Sequence, residues 1–338
     1  MRILLSSHLF APSVGGIELV SGIVAEEFNR LGHEVRVVTQ TPDPGRTSPS
    51  PFPVIRQPGR SELLKHIRWS EVYLQSNISL PTLWPALLVR KPVLVVHHTW
   101  ISRADGSMAW QDRLKLGATR LVNRNLAVSG ALAKTIPAPC GVIANPYKDH
   151  IFTEDPAVRR DRDLVFVGRL VSDKGCSLLL DALAALAGES IRPTLTVIGA
   201  GPEMQSLQSK AAASGLGERI TFAGQLTGTS LAAELNRHRI LVAPSLWNEP
   251  FGIVALEGIA CGCVVVGSSG GGLPDAIGPC GVTFSNGNAA GLASALRSLL
   301  ESPGEISTLR KGAQAHLARH TRSAVAESYL AELRSLLL

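Results

Sequence analysis

Short apolar runs alternate with longer amphipathic stretches along most of the chain. The runs are rich in Leu, Ile and Val, as in RILLSS, VRVVT and LVFV, and the stretches between them carry apolar residues at helical spacing. This alternation predicts parallel strands joined by crossover helices. The first unit of this kind predicts a strand over residues 1–8, a helix over 17–32 and a second strand over 34–40.

One polar, charged segment, residues 153–163, interrupts the alternation and is the best candidate for a linker. Helices are predicted after it, for example over 177–187 and 203–214. The further predicted strands are 72–75, 92–97, 125–129 and 141–144 before the linker, and 163–170, 194–201, 219–226, 239–246, 263–269 and 281–286 after it.

A chain of 338 residues is longer than one core comfortably fills, so its length favours two domains of about 150 residues each. We predict an α/β protein with two Rossmann-like, doubly wound parallel-sheet domains, in residues 1–152 and 153–322. Residues 323–338 are expected to form a final helix with enough leucine to dock, and packing back on the N-terminal domain is one option. Two such domains in tandem would bring their ligand-binding loops to an interdomain cleft.

The charge is uneven, because residues 1–150 contain 17 Lys and Arg against 10 Asp and Glu, while the remainder contains 16 against 17. Such an excess is compatible with a phosphorylated substrate, an acidic membrane surface or a scattered solvated face. Nucleic acid is disfavoured because the basic residues are not interleaved with stacking aromatic residues.

The five cysteines form neither a CxxC pair nor a zinc-binding pattern, which is typical of reduced, buried thiols in a cytosolic protein. The apolar run at the start is too short for a signal peptide and is interpreted as the first strand. No run reaches 18 apolar residues without a charge, so no membrane-spanning segment is expected. We therefore expect a cytoplasmic protein.

The glycine pair in PSVGGIE, residues 12–18, lies between the first strand and the first helix. Gly15 and Gly16 could let a ligand approach the backbone next to a helix N-terminus, where negative charge is favoured. A tight turn explains a lone glycine pair equally well.

The segment VGRLVSDKG, residues 167–175, follows the first strand of the second domain. Arg169 and Lys174 at such a strand end could hold a diphosphate, with Arg as a fork and Lys as a point charge. Two surface cations on a loop are the alternative. We favour the diphosphate because the pair lies within glycine-bounded sequence at a strand end.

Two further strand ends carry weaker signals. In VIGAGPE, residues 197–203, Pro202 suits the first turn of a helix, and the loop with Gly199 and Gly201 could hold a nucleotide or simply turn. His97 and His98 close the strand KPVLVVHH, where a histidine could bond a substrate hydroxyl or stay structural.

Two carboxylates stand eight positions apart in NEPFGIVALEG, residues 248–258. Glu249 is predicted in a loop, and Pro250 is predicted to start a helix that places Glu257 two turns in. The exposed amides of that helix end could bind phosphate or sugar oxygens. Alternatively Glu257 makes a structural salt bridge and Glu249 is solvated, because a buried carboxylate needs a partner.

Taken together, these segments resemble the retaining nucleotide-sugar glycosyltransferases of family 4, which have the two-Rossmann GT-B architecture. The matching segments, in the order of the family and over nearly the whole chain, are GGIE with LGHEV, KPVLVVHHTW, AVSGAL, FVGRLVSDKG, VIGAGPE, FAGQL and PSLWNEPFGIVALEG.

The resemblance implies that residues 1–152 form the acceptor-binding domain and residues 153–322 the nucleotide-sugar donor-binding domain. It also implies roles for the matching residues. Arg169 and Lys174 would hold the donor diphosphate, and Glu257 would accept hydrogen bonds from the ribose. Glu249 would lie near the donor sugar, as would His98, for which His97 is a one-residue alternative. The remaining donor-binding positions are Gly15 and Gly16 near the phosphates, Gly199, Gly201, Pro202 and Leu226 around the base, and the amides of Phe251, Gly252 and Ile253.

The resemblance also implies transfer of a sugar from a UDP- or GDP-linked donor to an acceptor hydroxyl, with a front-face mechanism and with neither metal nor cofactor. The acceptor is a glycan, a lipid-linked molecule or a small molecule. The basic helix-like segment 111–125 suits peripheral contact with an anionic membrane at the inner face, and a solvated helix face is equally compatible. The chain departs from the family in NPYKDHIF, residues 145–152, and is short between residues 45 and 92.

Two other functions compete with this interpretation. A nicotinamide-dependent oxidoreductase would need GxGxxG and an acidic residue about 20 positions later, and PSVGGIE lacks that spacing. A catalytically inactive nucleotide-sugar-binding module would keep the same motifs, although none of the donor-site motifs is broken.

Overall fold

The computed structural model describes residues 1–13, 15–43, 45, 50–102 and 106–338. They group into two compact units. Unit 1 comprises Met1–Pro146 and His320–Leu338, and unit 2 comprises Tyr147–Arg319.

Each unit is built on one parallel sheet. In the described residues the strands of unit 1 are β1 (Arg2–Ser7), β2 (Glu34–Thr39), β3 (Val54–Arg56), β4 (Val72–Ser76), β5 (Val93–His97), β6 (Arg124–Ala127) and β7 (Cys140–Val142). Those of unit 2 are β8 (Arg162–Val167), β9 (Leu195–Ile198), β10 (Ile220–Gly224), β11 (His238–Ala243), β12 (Val264–Ser268) and β13 (Gly281–Phe284).

Helices connect the strands. In the described residues they are α1 (Gly16–Arg30), α2 (Arg60–Trp69), α3 (Leu80–Leu88), α4 (Trp110–Ala118), α5 (Gly130–Ala133), α6 (Cys176–Gly188), α7 (Met204–Ala213), α8 (Gly228–Asn236), α9 (Ile253–Ala260), α10 (Leu273–Ile277), α11 (Ala289–Glu301), α12 (Pro303–Arg310), α13 (Ala313–Ala318) and α14 (Arg322–Ser335). The last of these, α14, packs against α1 within unit 1.

The strand order is β3-β2-β1-β4-β5-β6-β7 in unit 1 and β10-β9-β8-β11-β12-β13 in unit 2. In both sheets the first strand is central, the chain runs outwards on one side, and it then returns to continue on the other side. The strand order therefore reverses between β1 and β4 in unit 1, and between β8 and β11 in unit 2. The carboxyl ends of the strands at such a switch point are where open α/β sheets bind ligands.

The central strands are buried on both faces because helices cover the two sides of a parallel sheet. Every residue of β4, β5 and β12 is buried. Helix α1 contributes Val20, Val24 and Phe28 to the core of unit 1, at the four-residue spacing of one helix face.

The predicted strands and the doubly wound fold class are confirmed, with boundaries that shift by a few residues. Strand β7 ends at Val142 rather than Ala144. The three-residue strand β3 was not predicted, because it is short and prolines at 51 and 53 directly before it mask the apolar pattern. The five cysteines are free thiols, as expected, although Cys140 is half-buried rather than buried.

Candidate functional site

The switch point of unit 2 brings together charged residues from two strand ends. Arg169 and Lys174 follow β8, and Glu249 follows β11. Lys174 Nζ lies 2.5 Å from Glu249 Oε1, and the Ser245 hydroxyl donates to the same carboxylate oxygen at 2.8 Å. The structure therefore joins Lys174 to Glu249 across 75 positions of sequence, a pairing that the motifs did not reveal.

Arg169 is exposed, and its guanidinium makes no hydrogen bond or ion pair to any residue that the structure describes. Its loop is nevertheless held in place by backbone bonds on both sides. Gly168 N donates to Ile198 O at 3.0 Å, and Leu170 N donates to Ala200 O at 2.9 Å. Arg169 thus presents five free donors from a fixed backbone, which suits it to an anion.

Gly199 and Gly201 allow the loop after β9 to pack directly on the Arg169 loop. A Cβ atom at Gly199 would lie 1.8 Å from Gly168 O, and one at Gly201 would lie 2.3 Å from Leu170 O. Pro202 precedes α7, which begins at Met204, so the prediction that Pro202 lies in the first turn of that helix is wrong. Leu226 follows β10 and is partly buried.

The helix in NEPFGIVALEG begins later than predicted. Pro250 does not start it: α9 begins at Ile253, and Gly252 is the residue before the helix, with φ of +107°. A Cβ atom at Gly252 would lie 2.5 Å from Leu273 Cδ1, so both the turn and the packing favour glycine. Phe251, only 2% exposed, anchors the turn in the core.

This correction moves Glu257 to one turn inside α9 rather than two. The amides of Ile253 and Val254 lie in the first turn, where a helix leaves N–H groups without intrahelical partners. Such amides favour negative charge or oxygen acceptors. The amide site therefore stays a prediction, now with the helix beginning at Ile253.

Glu257 is mostly buried, and its carboxyl makes no hydrogen bond or ion pair to a described residue. Burial raises the pKa of Glu257 to about 7, and the positive charge of Lys148 opposes this rise. The predicted alternative of a structural salt bridge is thus not what the described residues form. A largely buried carboxylate gains stability when hydroxyl donors reach it, so this group is suited to a ligand.

Three residues near this site were missed by sequence reasoning. Ser245 donates a hydrogen bond to Glu249, and the positive charge of Lys148 acts on Glu257. Gly271 forms an isolated parallel bridge with Glu249. Gly272 N also donates to Glu249 O at 2.7 Å. The run of three glycines after β12 was the available signal, since glycine at a strand end permits close backbone approach.

In unit 1, Gly15 is the residue before α1 and Gly16 is its first residue. A Cβ atom at Gly15 would lie 2.5 Å from Glu18 Oε2, the far end of a flexible side chain that can move aside. Val14 of the same motif lies outside the described residues.

The two histidines at the end of β5 have different environments. His97 Nε2 lies 3.1 Å from Asn125 Oδ1, and both side chains are buried. His98 donates its backbone N–H to Asn77 Oδ1 at 2.7 Å, whereas its buried ring Nδ1 has no hydrogen-bond partner among the described residues. Burial, followed by the nearby His97, lowers the pKa of His98 to about 4, and the neighbouring side chain of Asn145 opposes this shift. The His98 ring is therefore neutral at pH 7.

Within the described ranges, no group of three or more His, Cys, Asp or Glu side chains is arranged to hold a metal ion. In that same part of the chain, no helix combines the length and apolar character needed to cross a membrane.

Residues 148–316 match the family model for glycosyl transferases group 1. Glycogen synthase from Mycobacterium tuberculosis is 36% identical over 189 residues, which cover 53% of this chain and 45% of that protein. D-inositol 3-phosphate glycosyltransferase from Mycolicibacterium paratuberculosis is 33% identical over 188 residues, or 52% of this chain and 41% of that protein. The chain thus aligns with less than half the length of these relatives.

Solved structures match over nearly the whole chain. Anabaena Alr3699/HepE in complex with UDP aligns with a TM-score of 0.84 and 20% identity, covering 99% of this chain and 100% of that chain. Sucrose-phosphate synthase from Thermosynechococcus elongatus aligns with a TM-score of 0.77 and 21% identity, covering 99% and 98%. These likenesses confirm the predicted glycosyltransferase fold of two parallel-sheet α/β domains. Because the family model covers half of the sequence, from 148 to 316 of 338 residues, the chain belongs to the glycosyl transferases group 1 family.

Proposed function

We propose that the chain transfers a sugar from a nucleoside diphosphate sugar to an acceptor hydroxyl, with retention of configuration. The observation that carries this proposal is the charged group at the switch point of unit 2, where Arg169 has no ion-pair partner among the described residues and Lys174 contacts Glu249. Two cations at a strand end can stabilise a departing diphosphate. The solved structures of Anabaena Alr3699/HepE in complex with UDP and with UDP-glucose support a uridine nucleotide as the first donor to test.

Each charged residue has a separate task in this proposal. Arg169 offers a planar fork to the phosphate oxygens, and Lys174 offers a point charge that exchanges its contact with Glu249 for the ligand. Glu249, held by Ser245 at 2.8 Å, then faces the sugar hydroxyls as a hydrogen-bond acceptor. The first amides of α9, with Phe251 and Gly252 before them, bind oxygens of the sugar and phosphate.

Glu257 binds the ribose hydroxyls in this proposal. Its carboxyl has no hydrogen-bond donor of its own among the described residues, and burial raises its pKa to about 7. Two ribose hydroxyls would supply the donors that stabilise its charged form. The base then lies between the loop with Gly199, Gly201 and Pro202 and the loop with Leu226.

His98 acts as a neutral hydrogen-bonding group near the donor sugar. Its pKa of about 4 keeps the ring uncharged at pH 7, and its Nδ1 has no other partner among the described residues. His97 already bonds Asn125, which favours His98 for this role. Gly15 and Gly16 complete the proposal by allowing the start of α1 to approach the phosphates.

The chemistry is front-face and needs no metal, because cations and amides stabilise the leaving diphosphate directly. The departing phosphate accepts the proton of the acceptor hydroxyl as the new glycosidic bond forms. A double displacement with Glu249 as nucleophile is a less favourable route, since its carboxylate oxygen accepts a hydrogen bond from Ser245 at 2.8 Å.

The experiment that tests the proposal is a thermal-shift screen with nucleoside diphosphates and nucleotide sugars, followed by assay of nucleoside diphosphate release. A ligand at about 100 times its Kd stabilises the folded chain by about 2.7 kcal/mol. Stabilisation by NAD instead of UDP or GDP would favour the oxidoreductase. Binding of a nucleotide sugar without turnover, with every acceptor offered, would favour the inactive module.

An exposed face of α4 and the turn after it favours peripheral contact with an anionic membrane. Trp110, Leu114 and Leu121 are 69%, 51% and 64% exposed, and Arg113 and Lys115 lie in the same helix. Apolar side chains bordered by cations suit an acidic lipid surface. Sedimentation with phosphatidylserine vesicles at low and high salt tests this partner, and failure to bind at low salt contradicts it.

A further inference from the structure

The segment that carries Glu249 after β11 is held by hydrogen bonds more than by apolar packing. We call residues 245–249 the Glu249 loop. Leu246 is 44% exposed and Trp247 is only partly buried, so few apolar side chains fix the middle of this loop. Segments with few buried apolar contacts have low local stability. The position of the loop therefore depends on the polar groups that contact its backbone.

Both ends of the Glu249 loop are fixed by β12 and by the residues that follow it. The Ser268 hydroxyl donates to Ser245 O at 2.7 Å, and the Gly272 amide donates to Glu249 O at 2.7 Å. A Cβ atom at Gly271 would lie 2.2 Å from Glu249 O, so only glycine permits this close approach of the two backbones. The middle of the loop is left to other groups.

Asn286, the second residue after β13, holds the middle of the Glu249 loop from one side. Its Nδ2 donates to Leu246 O and Trp247 O, both at 3.3 Å, and lies 3.4 Å from Asn248 Oδ1. Its Oδ1 accepts the Gly270 N–H at 2.8 Å, which ties the residues after β12 to the same amide. Only one orientation of the amide satisfies both sets of partners, and a carboxylate would place an oxygen against the two carbonyl oxygens.

Asp173 holds the same part of the loop from the other side. The amides of Leu246 and Trp247 donate to Asp173 O at 2.9 and 3.4 Å. Asp173 directly precedes Lys174, whose Nζ contacts Glu249. A displacement of the middle of the Glu249 loop would therefore move the backbone next to both charged residues.

A fixed backbone matters most once a donor is bound. In the proposed function Lys174 exchanges its contact with Glu249 for the phosphate, and Glu249 Oε1 then keeps the Ser245 hydroxyl as its donor among the described residues. A carboxylate without its cation is more stable in water than against protein, so on a loose loop it would turn outward. Asn286 opposes this movement, and its neutral amide does so without adding a charge to the donor site.

We propose that Asn286 is a positioning residue of the donor site, which orients Glu249 toward the donor sugar by holding the Glu249 loop. This role rests on the proposed function for the contact between Glu249 and the sugar, and it adds a residue to which the motifs assign no role. Asn286 acts on the sugar and not on the nucleotide, because Arg169 and Glu257 are the groups that contact phosphate and ribose.

The test is calorimetry on the full chain with UDP, UDP-glucose and UDP-galactose, and with GDP and GDP-mannose. Asn286→Ala is expected to weaken the best-bound nucleotide sugar at least tenfold and its bare nucleotide less than twofold. Asn286→Asp keeps the acceptor for the Gly270 N–H but places a charged oxygen against two carbonyl oxygens. Its loss of nucleotide-sugar affinity should be at least as large. Circular dichroism verifies that both variants are folded.

Asn288, two residues further along, provides the matched control. Its Oδ1 accepts the Gly291 N–H at 2.9 Å and thereby caps α11. Asn288→Ala should lower the Tm and leave the affinities for nucleotide and nucleotide sugar within twofold. A purely structural role for Asn286 would give this same pattern in Asn286→Ala, which would overturn the proposal.

Hydrogen exchange of the ligand-free chain tests the hold on the loop without any donor. Exchange at the amides of Leu246, Trp247 and Gly270 should be at least tenfold faster in Asn286→Ala and unchanged in Asn288→Ala. Unaltered exchange at these amides contradicts the proposal. So does faster exchange with unaltered nucleotide-sugar affinity, or an equal loss of affinity for nucleotide and nucleotide sugar.

The unsubstituted chain separates failure of this role from failure of the proposed function. If it binds none of the nucleotides and nucleotide sugars, the transfer reaction is contradicted, and the positioning role fails with it. If it binds them and the Asn286 variants bind them equally well, the positioning role alone is contradicted.

Discussion

The two switch points of the molecule share a backbone arrangement and differ in charge. Between β8 and β11, Arg169, Lys174 and Glu249 follow the strand ends. Between β1 and β4, the corresponding edge is lined with hydroxyls and amides, and the described lining contains no ionised Lys, Arg, Asp or Glu. The parallel sheet therefore determines where a ligand can bind, and the loop residues determine what kind of ligand it is.

Burial shifts the pKa of Glu257 in unit 2 and that of His98 in unit 1 in opposite directions. It raises the pKa of Glu257 in unit 2 to about 7 and lowers that of His98 in unit 1 to about 4. Both shifts favour the uncharged form. Their consequences differ at pH 7, because His98 is neutral there while Glu257 is divided between its two forms.

The largest expected effect comes from removing the cations of the charged switch point. Arg169→Ala and Lys174→Ala should each lower turnover by about 10²–10³-fold, because each removes charge stabilisation of the leaving diphosphate. The measurement is release of nucleoside diphosphate at saturating donor, with circular dichroism to verify folding.

Matched controls exist for both of these variants in unit 2. Arg192 is another exposed arginine, and Lys210 is another ion-paired lysine, 2.7 Å from Asp181. Arg192→Ala and Lys210→Ala should leave turnover within about twofold, in line with a surface charge far from chemistry. Equal losses in controls and test variants would remove the diphosphate role.

The next effect is a pH dependence of nucleotide binding that depends on Glu257. Its pKa of about 7 means that the carboxylate, the form that accepts ribose hydroxyls, becomes populated as the pH rises from 6 to 8. Affinity for the nucleotide sugar, whose phosphates keep their charge over this range, should increase about tenfold, by calorimetry. In Glu257→Gln the affinity should be weaker and flat with pH, and an unchanged profile in that variant contradicts the ribose role.

A smaller effect is expected on the free energy of unfolding in acid. It is tested by comparing substitutions of the buried His98 and of the exposed His150. The folded-state pKa of His98, about 4, is below the ordinary value of 6.5, so the unfolded chain binds its proton first as the pH falls. Its contribution to stability is therefore present above pH 6.5 and is lost between 6.5 and 4, up to about 3 kcal/mol.

Urea unfolding at pH 7 and pH 4.5 measures this contribution. The loss of unfolding free energy on acidification should be smaller in His98→Gln than in the unsubstituted chain. It should be unchanged in His150→Gln, because that side chain is exposed. Equal losses in all three proteins would show that His98 does not resist protonation.

The smallest expected effect is that of removing divalent ions, which should leave turnover unchanged. If Arg169 and Lys174 stabilise the diphosphate without a divalent ion, millimolar EDTA should leave turnover within about twofold. A loss that added Mg²⁺ or Mn²⁺ restores would contradict the metal-free proposal and reassign part of the charge stabilisation to the ion.

Sequence reasoning predicted the elements with strong periodicity. Strands such as β1 and β12 and helix α1 have patterns that only one regular structure satisfies, so only their ends shift. It also selected Arg169, Lys174, Glu249 and Glu257 as candidates. It misplaced the start of α9, because Pro250 is a good first helical residue and nothing local shows that Gly252 adopts φ of +107° against Leu273.

The sequence by itself therefore determined two α/β domains and the residue types at their strand ends, since local periodicity and strand-end motifs are properties of neighbouring residues. Only the tertiary structure decided which of those residues meet. Parallel pairing of β8 with β11 brings Lys174 to Glu249, and pairing of β12 with β13 brings Asn286 to the Glu249 loop. The physical reason is that contacts across a sheet, and the burial that shifts the pKa of Glu257 and His98, depend on strand order rather than on adjacency in the chain.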